Sequence, residues 1–193
     1  EDRIVLNKAI DEIKRIEYLM KSLLNFARPP KPQLARTEVN AVLDTVIGSV
    51  LKDPAFPRAA TRAIAIQKNY DRQIPAAMAD PMQLQQIFMN LLLNAADAMS
   101  EGGTLDIETA FDRRSGMLQV RIADTGTGVD AAVINNIFQP FFTTKSKGTG
   151  LGLAITKRLV EENEGQISIE SKAGGGAVFI ITLPALREGE SRT

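Results

Sequence analysis

Apolar residues recur every three or four positions along the first 28 residues of the chain. This period matches one face of a helix, and it predicts a single long, coiled-coil-like helix over residues 2–28. Further apolar residues widen that face beyond a two-stranded seam, so we expect the helix to pack in a bundle. The apolar stripe consists of Leu6, Ala9, Ile13, Ile16, Met20, Leu23 and Ala27, and it is widened by Ile10, Leu24 and Phe26.

Three prolines follow this helix within four positions: Pro29, Pro30 and Pro32. Proline cannot continue a helix, and a run of prolines forms a stiff extended segment. We therefore expect a linker over residues 29–33, a separate domain over residues 34–186 and a frayed polar tail over residues 187–193.

Residues 34–186 combine short strand patterns with helical patterns. Apolar alternation bounded by turn residues predicts strands, and Asp80 before Pro81 predicts the start of a helix. Hairpins and helices recur without a regular strand–helix alternation, which predicts a two-layer α/β sandwich in which helices cover one face of a mixed sheet. We expect an extended piece at 37–39, strands at 63–69, 76–79, 104–111, 117–123, 166–171 and 177–183, and helices at 40–51, 81–99 and 151–163.

Composition narrows the classes of function. The 193 residues carry 23 Lys and Arg against 23 Asp and Glu, so the chain lacks the net positive charge typical of nucleic-acid binding. No apolar run approaches the roughly 18 residues that span a bilayer, so we expect no membrane contact by this stretch and a cytoplasmic location. The chain has no cysteine and no histidine, which excludes thiolate metal sites and imidazole catalysis by its own residues.

Two asparagines, Asn90 and Asn94, interrupt an otherwise apolar stretch of the predicted helix at 81–99. They are four residues apart, so both amides lie on one side of the helix. Amides in such a place need partners, which either a bound ion or phosphate or the nearby backbone supplies. The spacing alone leaves both interpretations open.

The stretch from Asp124 to Gly128 reads DTGTG and follows a predicted strand. An aspartate at a strand end can accept a hydrogen bond from the amino group of a ligand. Gly126 would let the backbone approach a flat ring, and Gly128 would permit a tight turn. The alternative is an ordinary glycine-rich turn before the next helix.

Three alternate glycines, Gly148, Gly150 and Gly152, open the predicted helix at 151–163. Exposed amides and the positive end of a helix dipole form a phosphate cradle, and Lys145 and Lys147 precede it. The alternative is a flexible loop before a helix. The neighbouring cluster of Phe138, Phe141 and Phe142 could pin a lid or accept a partner, or it could form a small satellite core.

Together, in this order, these motifs resemble the ATP-binding catalytic domain of bacterial sensor histidine kinases, within the gyrase, Hsp90, histidine kinase and MutL ATPase superfamily. NLLLNAADAM resembles the N box, DTGTG the first glycine box, IFQPFFTTK the F box and GTGLGLAI the second glycine box. The resemblance covers residues 34–184 and implies the Bergerat-type ATP-binding fold. The segment FFTTKSKGTGLGLAITKRLVEE is similar to kinases of the nitrogen-regulation type.

The resemblance implies a site for ATP and Mg²⁺. Asn94 would coordinate Mg²⁺, with Asn90 contributing nearby, and Asp124 would bind the adenine amino group. Lys145 would contact phosphate, and Asn90, Asn94 and Lys145 are the candidate catalytic residues. The remaining candidates around the nucleotide are Gly126, Gly128, Thr144, Lys147, Gly148, Gly150, Leu151 and Gly152.

Asn90 separates two activities within the superfamily. Members of the resembled superfamily that hydrolyse ATP carry a glutamate at this position, which acts as a base, whereas an asparagine cannot take a proton from water. The resemblance therefore implies phosphoryl transfer from Mg-ATP to a histidine, with a response regulator as the next acceptor. The alternatives are a serine kinase or switch ATPase of the same superfamily, and a nucleotide-sensing interaction module.

The chain departs from the resembled pattern in two places. Asp97 and Ala98 lie where many members have a basic residue soon after the second asparagine of the N box. The phosphorylated histidine is absent, so the acceptor would lie outside these residues. The helix over residues 2–28 resembles the second helix of the dimerisation and phosphotransfer domain, which implies a homodimer in the full-length kinase.

Overall fold

The computed structural model describes residues 13, 20, 31–52, 64–145, 148–171 and 175–186. The predicted helix over residues 2–28 therefore lies outside the described residues, except for Ile13 and Met20, which are helical and exposed. Residues 29 and 30 of the predicted linker and the tail at 187–193 also lie outside them. Within the described ranges, no helix combines the length and apolar character needed to cross a membrane.

The described chain forms three helices and seven strands, with one short 3₁₀ helix. The strands are β1 (Ala35–Thr37), β2 (Ile64–Tyr70), β3 (Ala77–Ala79), β4 (Gly103–Asp112), β5 (Met117–Asp124), β6 (Gln166–Ser171) and β7 (Ala177–Pro184). The helices are α1 (Val39–Lys52), α2 (Pro81–Ala98) and α3 (Gly152–Glu162), and the 3₁₀ helix spans Ile134–Asn136.

Five strands form one mixed sheet in the order β2-β4-β5-β7-β6. The β2 and β4 strands are parallel, whereas β4-β5, β5-β7 and β7-β6 are antiparallel pairs. A separate antiparallel pair joins β1 to β3. The predicted mixed sheet is confirmed. The hairpins β4-β5 and β6-β7 pair strands that follow each other in sequence, and the connection through α2 places β2 alongside β4.

The helices cover one face of this sheet. Apolar side chains of β4, β5 and β7 alternate between a buried and a more exposed face, and the buried set packs with α1, α2 and α3 in one core. The opposite face carries polar pairs such as Arg121 and Glu108, whose side chains lie 3.1 Å apart. The two-layer α/β sandwich expected from the sequence is therefore confirmed.

The start of α2 follows from its sequence. The Oδ1 of Asp80 accepts hydrogen bonds from the backbone nitrogens of Met82 and Gln83 at 2.8 and 3.2 Å, and Pro81 occupies the first helical position. The side chain thus satisfies amides that have no partner within the helix. This cap fixes where α2 begins.

One boundary prediction is wrong in a way that has a clear cause. The sequence predicts an extended piece through Val39, but β1 ends at Thr37 and α1 begins at Val39. The carbonyl of Glu38 accepts hydrogen bonds from Ala41 and Val42, which draws Val39 into the first helical turn. Val39 is then 1% exposed in the core, and this burial outweighs its β-branched preference for a strand.

Candidate functional site

One face of α2 carries the polar groups of the site. Asn90, Asn94 and Asp97 recur at three- and four-residue intervals, so they line one side of the helix beside Ala98. The neighbouring side is buried and apolar, with Leu84, Ile87 and Leu91 in the core. Packing of the apolar side therefore fixes where the polar side points.

Asn90 contacts the first turns of α3. Its Nδ2 donates to the carbonyl oxygen of Gly152 and to the Oγ1 of Thr156, both at 3.3 Å. Thr156 is fully buried and its hydroxyl also donates to Gly152 at 2.9 Å. The amide of Asn90 thus has protein partners and joins α2 to the helix that follows the glycine motif.

Asn94 meets a cation from a distant part of the chain. The Nζ of Lys145 donates to the Oδ1 of Asn94 at 3.1 Å and to the Oδ2 of Asp97 at 3.0 Å. The loop after the phenylalanine cluster is thereby docked against α2. Asp97, which the sequence marked only as a departure from the resembled pattern, is the residue that anchors this lysine.

Asp124 is the last residue of β5 and only 7% of it is exposed. Its Oδ1 accepts hydrogen bonds from the backbone nitrogens of Gly126 at 2.8 Å and of Ala177 at 3.3 Å. Burial raises the pKa of the Asp124 carboxyl above its ordinary value, and the two backbone hydrogen bonds oppose that rise. Within the described residues, Oδ2 of this carboxyl has no hydrogen-bond partner.

The turn after Asp124 packs directly on the end of α2. A Cβ built on Gly126 would lie 2.6 Å from the carbonyl oxygen of Ala98, so a side chain there would force the two backbones apart. The same carbonyl accepts a hydrogen bond from Thr127 at 3.3 Å. The turn that follows Asp124 therefore contacts the C-terminal end of α2, next to its polar face.

The other predicted residues belong to the sequence that precedes α3 and to the first position of α3. Thr144 and Gly148 are exposed, Gly150 is half-buried, and Lys147 lies outside the described residues. Leu151 is 2% exposed in the core, and its backbone nitrogen bonds to the Oγ1 of Thr149 at 3.2 Å. A Cβ on Gly152 would meet nothing within 4 Å, so packing does not demand glycine there.

Of the three clustered phenylalanines, two are partly buried and one is exposed. Phe138 and Phe142 are partly buried against the main core, as a satellite core would be. Phe141 is 63% exposed and has a φ of 65°, a left-handed conformation that residues other than glycine rarely adopt. A Cβ on Gly150 would lie 2.6 Å from the carbonyl oxygen of Phe141, so these two loop positions pack backbone to backbone.

The residues fit a nucleotide with a hard cation. The described residues contain no group of three or more Asp or Glu side chains able to hold a metal. A donor set of one amide oxygen suits Mg²⁺, which keeps several waters and shares phosphate oxygens. The Oδ1 of Asn94 already accepts a hydrogen bond from the cationic Lys145. The buried Asp124 has one carboxyl oxygen with no hydrogen-bond partner among the described residues. Because this oxygen lies beside a glycine-lined backbone, it suits a ring that carries an amino group.

Residues 79–187 match the family described as histidine kinase-, DNA gyrase B- and HSP90-like ATPases. The chain is 34% identical over 184 residues to the signal transduction histidine-protein kinase AtoS of Escherichia coli (strain K12), covering 95% of this chain and 29% of AtoS. It is 33% identical over 195 residues to the sensory histidine kinase/phosphatase NtrB of Rhodobacter capsulatus, covering 95% of this chain and 53% of NtrB. The chain thus spans about half or less of these relatives.

Solved structures agree with this assignment. Full-length ShkA in complex with AMPPNP superposes with a TM-score of 0.80 and 27% identity, covering 96% of this chain and 39% of ShkA. The chain therefore belongs to the histidine kinase-, DNA gyrase B- and HSP90-like ATPase family. AtoS and NtrB are both named as histidine kinases, which confirms the resemblance drawn from the four sequence motifs.

Proposed function

We propose that this chain is the ATP-binding catalytic part of a two-component sensor histidine kinase. The observation that carries the proposal is the continuity between Asp124 and the polar face of α2, made by the packing of Gly126 on Ala98. It gives one site with a base-binding end and a phosphate-binding end. The domain limits of 34–186, with the preceding helix belonging to a dimerisation and phosphotransfer domain, are part of this proposal.

Asp124 forms the base-binding end. Its Oδ1 is held by two backbone amides, and its Oδ2 is left to accept a hydrogen bond from an exocyclic amino group. Gly126 allows a flat ring to approach the backbone at this point. An adenine base meets both requirements, and Gly128 completes the turn on that side.

Asn94 and Lys145 form the phosphate-binding end. Asn94 would hold Mg²⁺ through its amide oxygen, and Lys145 would neutralise phosphate charge. Lys147, Thr144 and the glycines at 148 and 150 would cover the phosphates from the loop. When bound, Mg-ATP supplies the γ-phosphoryl group, and the protein contributes by positioning it and neutralising its charge.

The identity of Asn90 supports transfer rather than hydrolysis. An amide has no basic site for a proton from water, and Asn90 Nδ2 is occupied by Gly152 and Thr156. The phosphoryl group would pass to the imidazole nitrogen of a histidine outside this chain, with ADP as the leaving group. A response regulator aspartate would be the next acceptor, and the full-length kinase would be a homodimer with this part in the cytoplasm.

Two measurements test the proposal. Calorimetric titration with Mg-ATP is expected to show one site per chain, and Asp124→Asn is expected to abolish it. With labelled ATP, the chain alone is expected to release no phosphate above the protein-free rate. Addition of the histidine-bearing domain of the full-length protein is expected to yield an acid-labile phosphorylated product, and steady ATP hydrolysis dependent on Asn90 would contradict the proposal.

A further inference from the structure

The backbone at Gly176 and Ala177, where β7 begins, lies directly against Asp124. Ala177 begins β7, and its backbone nitrogen donates to the Oδ1 of Asp124 at 3.3 Å. The register places Ala123 opposite Val178, so Ala177 lies beside Asp124 at the end of the same ladder. The carboxyl is therefore held by its own turn through Gly126 and by a second strand.

Gly176 makes this approach possible. It has a φ of +88°, and a Cβ built on it would overlap the carbonyl oxygen of Asp124. The same Cβ would lie 2.9 Å from the carbonyl carbon of Asp124 and 3.1 Å from the Cα of Thr125. Any side chain at position 176 must therefore push the backbone at this position away from Asp124 and carry the Ala177 amide with it.

Ser171 links Gly176 to the segment that follows the Asp124 turn. Its hydroxyl donates to the carbonyl oxygen of Gly176 at 3.2 Å and accepts from the backbone nitrogen of Val129 at 2.6 Å. Val129 follows the glycine turn at Gly126 to Gly128. We call Ser171, Gly176 and Ala177 the carboxyl clamp. These residues contact the Asp124 turn from β6 and from the start of β7.

We propose that the carboxyl clamp sets the base specificity of the site by fixing which oxygen of Asp124 faces the ligand. This inference rests on the proposed function. With Oδ1 held by two amides, only Oδ2 is offered, and it can accept from the amino group of a 6-aminopurine. A 6-oxopurine presents an acceptor there, and two acceptors repel each other. Gly176 and Ala177 act through Asp124, so they are positioning residues.

The sequence gives only a weak signal for this clamp. The run Gly174-Gly175-Gly176 predicts a hairpin turn, and any of the three glycines could serve that purpose. The contact that requires glycine at position 176 is made to a strand far away in sequence. The requirement therefore becomes visible only when β5 and β7 are paired.

The matched pair Gly176→Ala and Gly116→Ala tests the inference. Gly116 also has a positive φ, +71°, but a Cβ there would meet nothing within 4 Å. Both variants thus carry the backbone strain, and only one carries the clash. The probes are Mg-ATP, Mg-GTP and Mg-tripolyphosphate, whose dissociation constants are measured by calorimetry on the folded proteins.

Gly176→Ala is expected to weaken Mg-ATP binding about tenfold, the size of a lost hydrogen bond to a charged group. Binding of Mg-tripolyphosphate is expected to stay unchanged, so the preference for ATP over GTP falls. Gly116→Ala is expected to leave all three affinities unchanged. Equal losses for ATP and tripolyphosphate in Gly176→Ala, or no loss at all, would overturn the inference.

Ser171→Ala provides a second route if Gly176→Ala does not fold. It removes the two hydrogen bonds of the hydroxyl without adding volume, and it is expected to reduce the preference for ATP over tripolyphosphate in the same direction. An unchanged preference in Ser171→Ala would then overturn the clamp. If the unsubstituted chain binds none of the three probes, the proposed function itself fails, which is a separate result.

Discussion

The side-chain nitrogen of Lys145 lies 3.1 Å from the amide oxygen of Asn94, although the two residues are far apart in sequence. Asp97, one turn further along α2, holds the same nitrogen at 3.0 Å. Many of the kinases that this chain resembles carry a basic residue on this helix. This chain carries the acidic Asp97 there, and Asp97 binds a lysine from the loop. We therefore expect the loop to supply the positive charge for the phosphates of the proposed nucleotide.

Replacement of Lys145 by methionine tests this source of charge. Lys145→Met keeps the aliphatic length and removes the cation, so we expect Mg-ATP affinity to fall about tenfold, as for loss of one charge-assisted contact. The free energy of unfolding is expected to change by less than about 1 kcal/mol, because the side chain is 45% exposed and solvent-exposed ion pairs stabilise little. Calorimetric titration and urea denaturation measure the two quantities.

Lys68→Met is the matched control for this substitution. Lys68 is 42% exposed and pairs with Asp44 at 2.7 Å, a contact between β2 and α1 away from the site. It is expected to leave Mg-ATP affinity unchanged. Similar losses of affinity in both variants would show that Lys145 acts only through the net charge of the chain.

Asp124→Asn is expected to abolish Mg-ATP binding without lowering the stability of the fold at pH 7. Burial raises the pKa of the Asp124 carboxyl, so the folded protein holds this proton more tightly than the unfolded chain does. The stabilising contribution is complete below the ordinary pKa of 3.8 and is lost as pH rises through the raised folded value. An uncharged amide avoids that loss, so the variant is expected to be at least as stable as the parent chain at pH 7.

Thermal unfolding of both proteins between pH 3.5 and pH 7 measures this effect, with the interval set by the direction of the shift. The stability advantage of Asp124→Asn over the parent chain is expected to shrink as pH falls, while Mg-ATP binding is absent throughout. A variant that is much less stable at pH 7 than at low pH, relative to the parent, would contradict the assigned cause of the shift.

Asn163→Ala is expected to destabilise the fold strongly. Asn163 is fully buried after α3, and its Oδ1 accepts from the backbone nitrogen of Asp80 at 2.7 Å. Its Nδ2 donates at 2.7 Å to both the Oε1 of Gln83 and the carbonyl of Leu159. Because truncation leaves buried groups without partners, we expect a loss of about 3 kcal/mol in the free energy of unfolding.

Chemical denaturation of Asn163→Ala beside Asn135→Ala checks this value. Asn135 is an exposed asparagine in the short 3₁₀ helix, and its truncation is expected to cost less than about 0.5 kcal/mol. Equal effects in the two variants would show that the buried asparagine does not join α2 to α3 energetically.

The sequence predicted most of the fold because local signals coincide with element boundaries. Asp80 and Pro81 mark the start of α2 through a cap that needs only neighbouring residues. The two antiparallel hairpins follow from apolar alternation around short turns. At Val39, by contrast, burial against the core outweighs local strand preference, and no local pattern contains that information.

The site was predicted less completely than the fold. The four motifs contain Asn94, Asp124 and Lys145, so these residues could be singled out from their spacing. The role of Asp97 as the anchor of Lys145 depends on how the loop folds back onto α2. The contact of Gly176 with Asp124 depends on strand pairing. Contacts between residues distant in sequence therefore account for what the motifs missed.

Transfer of labelled phosphate in a mixed reaction tests directly whether the chain phosphorylates a histidine. The chain is incubated with Mg-ATP labelled at the γ-position, with and without the histidine-bearing domain of the full-length protein. We expect acid-labile label on the added domain, and none when the chain carries Asp124→Asn. Label released as free phosphate at the same rate with or without that domain, or label unaffected by Asp124→Asn, would contradict it.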